Sequence, residues 1–205
     1  MKQRMGFTLI ELLIVVAIIA ILAAIAVPNF LEAQVRSKVS RTRADMRSCL
    51  TALESYMVDH AKYPPMADIP YDSFGSGFHS RMPNYLTTPI AYMNSVPYDP
   101  FVQQDTTWTS PVYPRETRVG ERFVYYNVKD LYEHPTWGTA WKNQELEERA
   151  GRHLFYSYGP DKDPFNLGAA TMTPYDSTNG TVSQGNIIRS QKHPEGIAPK
   201  STGGW

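Results

Sequence analysis

One acidic side chain, that of Glu11, lies within a long apolar segment near the N-terminus. Residues 7–27 contain 19 apolar side chains in 21, and the exceptions are Thr8 and Glu11. As a helix this segment is about 31 Å long, enough to cross the hydrocarbon core of a membrane. A carboxylate inside such a segment costs about 2.5 kcal/mol or more unless it is paired. We therefore expect Glu11 to have a partner.

A second group of acidic and amide side chains follows a predicted strand near the C-terminus. Asp161, Asp163 and Asn166 stand at alternate or near-alternate positions, and Asp176 comes further on. Calcium is bound by six to eight oxygen atoms from carboxylates, amides and backbone carbonyls on loops. The segment therefore predicts a calcium site, although no full ligand set stands at a recognised spacing. Asp-x-Asp in a loop rich in proline and glycine is also ordinary turn chemistry, and this interpretation stays open.

The sequence offers no catalytic motif. It contains no nucleophile elbow, zinc-protease helix, phosphate loop or dinucleotide fingerprint, and its five histidines are dispersed. The single cysteine, Cys49, excludes an intramolecular disulfide and a cysteine-based zinc site, and we expect it to be a small buried apolar residue. The 20 basic and 20 acidic residues give a formal net charge of zero, which argues against a nucleic-acid binder. The prediction is a protein that is not an enzyme.

The elements that carry these residues are a long helix and a turn-rich domain. Fifteen of the 16 prolines lie beyond residue 63, and Pro28 is the exception. After Pro28 an apolar stripe recurs at steps of three and four and predicts a helix that docks on the domain, ended by Pro64-Pro65. The stripe is Leu31, Val35, Val39, Met46, Leu50, Leu53 and Met57, with Thr42 filling the gap.

The rest of the chain predicts a small sheet. Residues 122–128, 153–158 and 186–190 are short runs of aromatic or β-branched residues flanked by turn residues, which is typical of strands. Residues 141–150 are charged and predict a short helix. The fold class is therefore α+β, with one long N-terminal helix packed on a small antiparallel sheet. Read as residues 7–60, the helix is about 81 Å long, more than a domain of this size can cover.

The first residues suggest a partner for Glu11. Lys2 and Arg4 precede Gly6 and Phe7. If the chain is cut after Gly6, the new amino group of Phe7 is a cation one turn from Glu11. The two groups can pair within one subunit. In a staggered assembly of helices, Glu11 of one subunit meets the Phe7 amine of the next, which gives the stack a register.

The stretch from Met5 to Glu11 (MGFTLIE) resembles the class III signal of type IV pilins and type II secretion pseudopilins. The resemblance implies that a prepilin peptidase cuts between Gly6 and Phe7 and that Phe7 is N-methylated. It also places Glu11 in the assembly position and Pro28 where the family often has a helix-loosening proline. The implied organisation is a leader over 1–6, a transmembrane and filament-core helix over 7–27, a docking helix over 28–62 and a globular pilin-like domain over 63–205.

Within this family the closest resemblance is to the major pseudopilin of type II secretion. The single cysteine fits pseudopilins, which often carry a calcium loop where many pilins have a disulfide. Residues 96–101 (VPYDPF) resemble a pseudopilin segment, and as plain structure they predict a rigid turn with Phe101 in the core. The implied partners are further copies of the chain, the peptidase, an inner-membrane assembly platform, minor pilins and the membrane. The alternative in the family is a pilus subunit for adhesion, motility or DNA uptake.

Three other interpretations stay open. An ordinary secretory signal would be cut near Ala24-Ile25-Ala26, but the long apolar run and Glu11 within it argue against one. A plain single-span anchor would merely tolerate Glu11. From a different class, a membrane-anchored enzyme or binding module would need a convergent polar site in residues 61–205. Charge counting does not orient the span, because the five basic residues between 36 and 47 outnumber the two before Phe7. The resemblance implies a cytoplasmic leader and an exported C-terminus.

Overall fold

A single helix, α1 (Leu9–His60), accounts for 52 residues of the protein and is about 78 Å long. The structure is a computed structural model and describes residues 7–66, 81–102, 122–133, 146–162, 175–176, 178, 183 and 185–194. The helix continues through Pro28, which has no N–H to donate to the carbonyl of Ala24. It ends in a left-handed residue, Ala61, with φ of 55°, shortly before Pro64-Pro65. The predicted long helix is confirmed.

The C-terminal half of α1 docks on the domain through one face. Its buried side chains recur at steps of three and four, as a docked helix requires. They are Val39, Thr42, Met46, Cys49, Ala52, Leu53 and Tyr56. Val35, Leu50 and Met57 are partly buried against the same core. The prediction for Leu31 is wrong, because 54% of this residue is exposed. Docking begins one turn later, at Val35, where the helix first meets the domain.

Among the described residues, three antiparallel strands form a sheet in the order β1 (Val124–Asn127), β2 (His153–Ser157) and β3 (Ile187–Ser190). In the register, Tyr125 pairs with Phe155 and Phe155 pairs with Arg189. All three strands lie within the runs that the sequence predicts. Every residue of the three strands is buried. Because successive side chains point to opposite faces and both faces are buried, the strands have continuous aromatic runs and not alternating polar and apolar residues.

Both faces of the sheet are covered. On one face, Tyr125, Phe155 and Ile187 pack with the buried side of α1. The other face packs against two short helices, α2 (Val128–Glu133) and α3 (Leu146–Ala150). α3 confirms the C-terminal half of the charged helix predicted over 141–150, and residues 141–145 lie outside the described part. The α+β class is confirmed, with a three-layer arrangement of helix, sheet and short helices.

His153 on β2 is fully buried in the layer under α1. Its ring stands edge-on to Tyr63, with centroids 4.5 Å apart, and near Phe155 at 6.1 Å. Neither ring nitrogen has a hydrogen-bond partner among the described residues. Burial therefore lowers the pKa of His153 from its ordinary value to about 4, because a charged ring would be unsolvated there.

This burial predicts a loss of stability in mild acid. Between pH 6.5 and 4 the unfolded chain binds a proton on His153 that the folded chain does not bind. The free energy of unfolding should fall by about 1.4 kcal/mol for each pH unit across this window, from this group alone. Urea unfolding of the full chain in detergent at a series of pH values measures the slope. His153→Gln should flatten it, and an equal slope in the variant would assign the effect to other groups.

Candidate functional site

The N-terminus of α1 is closed by a reciprocal cap between Thr8 and Glu11. The Thr8 hydroxyl accepts a hydrogen bond from the Glu11 backbone N–H at 3.3 Å. In return, Glu11 Oε2 accepts one bond from the Thr8 backbone N–H at 2.8 Å and another from the Thr8 hydroxyl at 2.7 Å. This is a capping box, which satisfies backbone N–H groups that the first turn of a helix leaves unpaired.

The cap gives Glu11 a partner without using all of its carboxylate. Both donors to Oε2 belong to Thr8, and the peptide N–H between Phe7 and Thr8 would survive a cut between Gly6 and Phe7. Among the described residues, Oε1 of Glu11 receives no hydrogen bond. One carboxylate oxygen is therefore held in place by the helix itself, while the other can accept from a cation such as a terminal amine.

The structure tests the prediction that Glu11, at the N-terminus of α1, has a partner. Glu11 does have a partner, and in this structure it is Thr8, which is not among the predicted site residues. The signal was present, because Thr-x-x-Glu before an apolar run is the pattern of a capping box. Phe7 is 71% exposed at the start of the described chain, and Gly6 lies outside it. Cleavage, methylation and the pairing of Glu11 with the Phe7 amine stay predictions.

Beyond the cap, the first half of α1 presents apolar side chains on all sides and buries none of them. By length and composition, α1 is the one helix in the described part of the chain that could cross a membrane. None of the 18 residues that form its most apolar stretch is buried within the described part of the chain. Such a surface is satisfied only by lipid or by the apolar surface of other helices.

The segment predicted as a rigid turn holds a buried carboxylate. Phe101 is inserted in the core with 2% of its surface exposed, so the prediction for this side chain is confirmed. Asp99 is also buried, although its place in the sequence gives no sign of this. Its Oδ1 accepts from the Phe101 N–H at 2.9 Å and from the Ser157 hydroxyl at 2.8 Å. Its Oδ2 accepts from the Tyr158 N–H at 3.1 Å.

Asp99 therefore joins the 96–101 segment to the end of β2. Burial raises the pKa of Asp99, and its three hydrogen bonds and the nearby Arg81 oppose that rise. Residue types alone do not reveal this role, because the donors come from residues up to 59 positions away. These contacts give Asp99 a structural role in the domain.

The four predicted calcium ligands divide between described and undescribed residues. Asp161 Oδ2 accepts from the Gly185 N–H at 3.2 Å, and Asp176 Oδ1 caps a turn by accepting from the N–H of Thr178 at 2.8 Å. Asp163 and Asn166 lie outside the described residues. Within the described ranges no group of three or more His, Cys, Asp and Glu side chains is placed to hold a metal ion. Calcium binding stays a prediction.

Cys49 fits its predicted structural role. Its side chain is fully buried on the face of α1 that docks on the domain, and burial raises the pKa of the thiol to about 12. A thiol that stays protonated at neutral pH is a poor nucleophile and metal ligand.

Comparison with known proteins addresses the N-terminal site directly. Residues 1–27 match the prokaryotic N-terminal methylation motif. The chain carries the prepilin signal of the type IV pilin and pseudopilin family. It is 51% identical over 66 residues to the type IV major pilin protein PilA of Myxococcus xanthus. The matched residues make up 32% of this chain and 30% of that protein. It is also 40% identical over 63 residues to the type II secretion system core protein G of Pseudomonas aeruginosa. Here the matched residues make up 31% of this chain and 44% of that protein.

A third relative is the type IV wide pilus major component PilA4 of Thermus thermophilus. It is 46% identical over 63 residues, which cover 31% of this chain and 48% of that protein. The chain thus spans less than half the length of each of these relatives. No solved structure matches it. Both pilins and a pseudopilin stand among the relatives, so the comparison supports the family and leaves the two filament systems unresolved.

The Asp99 network yields a prediction about stability. Asp99→Ala would leave three buried donors without an acceptor, at about 1–3 kcal/mol each when unsatisfied. We expect the free energy of unfolding to fall by a few kcal/mol and the 96–101 segment to lose protection in hydrogen exchange. Asp161→Ala, at a half-buried loop position, is the matched control and should cost much less. Equal losses in the two variants would contradict the special role of Asp99.

Proposed function

We propose that the chain is the structural subunit of a pilus-like filament. The first half of α1 carries the proposal, because its apolar side chains surround the helix and the subunit does not bury them. This apolar surface begins at the cap that Thr8 and Glu11 form. A subunit with this surface is stable in two settings, which are a lipid bilayer and a bundle of identical helices. The prepilin signal over residues 1–27 supports a passage from the first setting to the second.

In this proposal the precursor is inserted as a single-span protein of the cytoplasmic membrane. A prepilin peptidase removes residues 1–6 and methylates Phe7. The subunits then leave the bilayer through an assembly platform, together with minor pilins, and pack their α1 helices into a shared core with the globular domains outside. The filament stands in the periplasm or outside the cell.

The system that best fits the residues is the pseudopilus of type II secretion. The absence of a cysteine pair and the 96–101 segment favour it, as does the similarity to the core protein G of Pseudomonas aeruginosa. The second candidate is a type IV pilus, and the similarity to the major pilin of Myxococcus xanthus favours this one. Under both candidates the chain is a building block and not an enzyme.

The intact mass and the N-terminal residue of the protein from its native membrane fraction test this proposal. We expect a chain that starts at Phe7 and carries one extra methyl group. A start at Val27 would identify an ordinary secreted domain, and an uncut Met1 would identify a plain membrane anchor. Either of these results would contradict the proposed function.

Assembly should depend on both members of the helix cap. Glu11→Ala removes the carboxylate and should strongly lower the yield of filaments, while the apolar span still inserts in the membrane. Thr8→Val removes the hydroxyl that orients Glu11 but keeps its size, and loss of a cap of this kind costs about 1 kcal/mol. We expect it to lower the yield to a smaller extent. The matched control is Thr8→Ser, which keeps the hydroxyl.

Filaments sheared from cells and membrane-bound subunits are measured in the same cultures. A normal filament yield from Glu11→Ala would contradict a role for this carboxylate in assembly. A membrane fraction without the variant would show that insertion, rather than assembly, had failed.

A further inference from the structure

Two ion pairs on α1 have the opposite charge order along the chain. In the first, Arg36 Nη2 donates to Glu32 Oε1 at 2.6 Å, and the acidic residue comes first. In the second, Arg41 Nε lies 3.7 Å from Asp45 Oδ2, and the basic residue comes first. The side chains of Arg36 and Arg41 are 66% and 81% exposed. Each pair is open to a further charged partner.

The spacing of the two pairs places them on opposite sides of the helix. Glu32 and Arg41 are nine residues apart, and so are Arg36 and Asp45. Nine residues make about two and a half turns and a rise of about 13.5 Å. If two parallel copies lie side by side with this displacement, Glu32 of one copy faces Arg41 of the other. Arg36 then faces Asp45, so all four charges meet an opposite charge.

The domain leaves room for this contact. A cleft of about 620 Å³ opens beside the second pair. Its helical wall carries Arg41, Asp45 and Ser48, and the facing wall includes Met93, Pro97 and Tyr98. The volume lies in the range of sites that enclose a whole small ligand, so it can receive the side chains of one helical turn.

The first pair is placed to enter such a cleft. No residue of α1 from 28 to 34 is buried and the side chain of Glu32 is 43% exposed, so this part of the helix is open to a neighbouring copy. Glu32 also follows directly on the apolar surface of residues 9–31, which the proposed function assigns to contacts between copies. The same helix can therefore continue its contact with a neighbour from the apolar part into the charged part.

We propose that the cleft beside Arg41 and Asp45 receives Glu32 and Arg36 of the adjacent copy and so fixes the axial register between the two subunits. The inference rests on the proposed function, because insertion of all copies in one direction makes their helices parallel. The contact is heterologous, since one patch meets a different patch, and repeated contacts of this kind build an open filament.

Charge reversal distinguishes this contact from the pairs within one helix. Glu32→Arg and Arg41→Glu each place like charges across the proposed interface, which is strongly unfavourable, and should lower filament yield several-fold. The double variant restores attraction between copies, because Arg at 32 faces Glu at 41 and Arg36 faces Asp45. Within one helix, however, the double variant still has two basic residues at positions 32 and 36 and two acidic residues at positions 41 and 45. A recovered yield therefore cannot come from the pairs inside one copy. Recovery of most of the yield supports the proposal, and a yield below that of both single variants would overturn it.

Cysteine crosslinking measures the contact without reversing charge. Cysteines introduced together as Glu32→Cys and Arg41→Cys are about 13.5 Å apart along one helix, too far for a disulfide within a copy. Oxidation of filaments should therefore give a ladder of linked subunits. Native Cys49 can stay, because burial raises the pKa of its thiol to about 12. The matched control is Glu32→Cys with Arg47→Cys, since Arg47 lies on the side of Arg36, and it should give no ladder.

The two tests separate this inference from the proposed function. Normal filaments from the cysteine variant without a ladder would overturn the proposed register and leave the filament function standing. An unmodified chain that forms no filaments would contradict the function and this contact together. Thermal unfolding of each charge variant shows whether its domain is folded, and a folded double variant without recovered yield overturns the contact.

Discussion

An apolar helical surface that the subunit does not bury is the constraint on which the rest of the structure depends. From Leu9 to Leu31 the large apolar side chains of α1 stand open, so the free chain is stable only where lipid or other apolar helices surround it. The rest of the fold accommodates this requirement. α1 is much longer than the domain it serves, and the contacts of the domain with α1 begin only at Val35.

The same continuous helix therefore lies in two environments, and its sequence changes where the environment changes. Before Pro28 the apolar residues surround the helix. Beyond Val35 most of them keep to one stripe, which packs on Tyr125 and Phe155, and Val58 is an exposed exception. In the described part of the domain the sheet has three strands, and layers on both of its faces bury it. The buried carboxylate of Asp99 ties a loop to the end of β2 in a chain that has no disulfide to do so.

The parts that sequence could predict are those governed by local pattern. The helix, its docking stripe and all three strands follow from hydrophobic periodicity and residue type, and Thr8 would have followed from its spacing to Glu11. Leu31 continues the stripe but falls below the domain, and a pattern cannot tell where its partner surface ends. Asp99 and His153 could not be foreseen, because their surroundings come from residues distant in sequence. Asp176 caps a turn two residues further on, which is the local turn chemistry that its residue type allows, whereas Asp161 accepts from Gly185, 24 positions away, which spacing could not predict.

Apolar and charged surfaces on α1 supply different properties to an assembly. Apolar burial is strong but has little direction, so helices in contact through residues 9–31 alone could slide with little loss of contact area. Exposed ion pairs such as Glu32–Arg36 contribute at most about 1 kcal/mol each. Between two copies, however, opposite charges face each other at one axial displacement and like charges face each other at others. Glu11 adds a carboxylate oxygen at the start of the helix, held in place by Thr8. In the proposed filament, the apolar half of α1 therefore supplies the affinity between subunits, and a few weak polar contacts select the register.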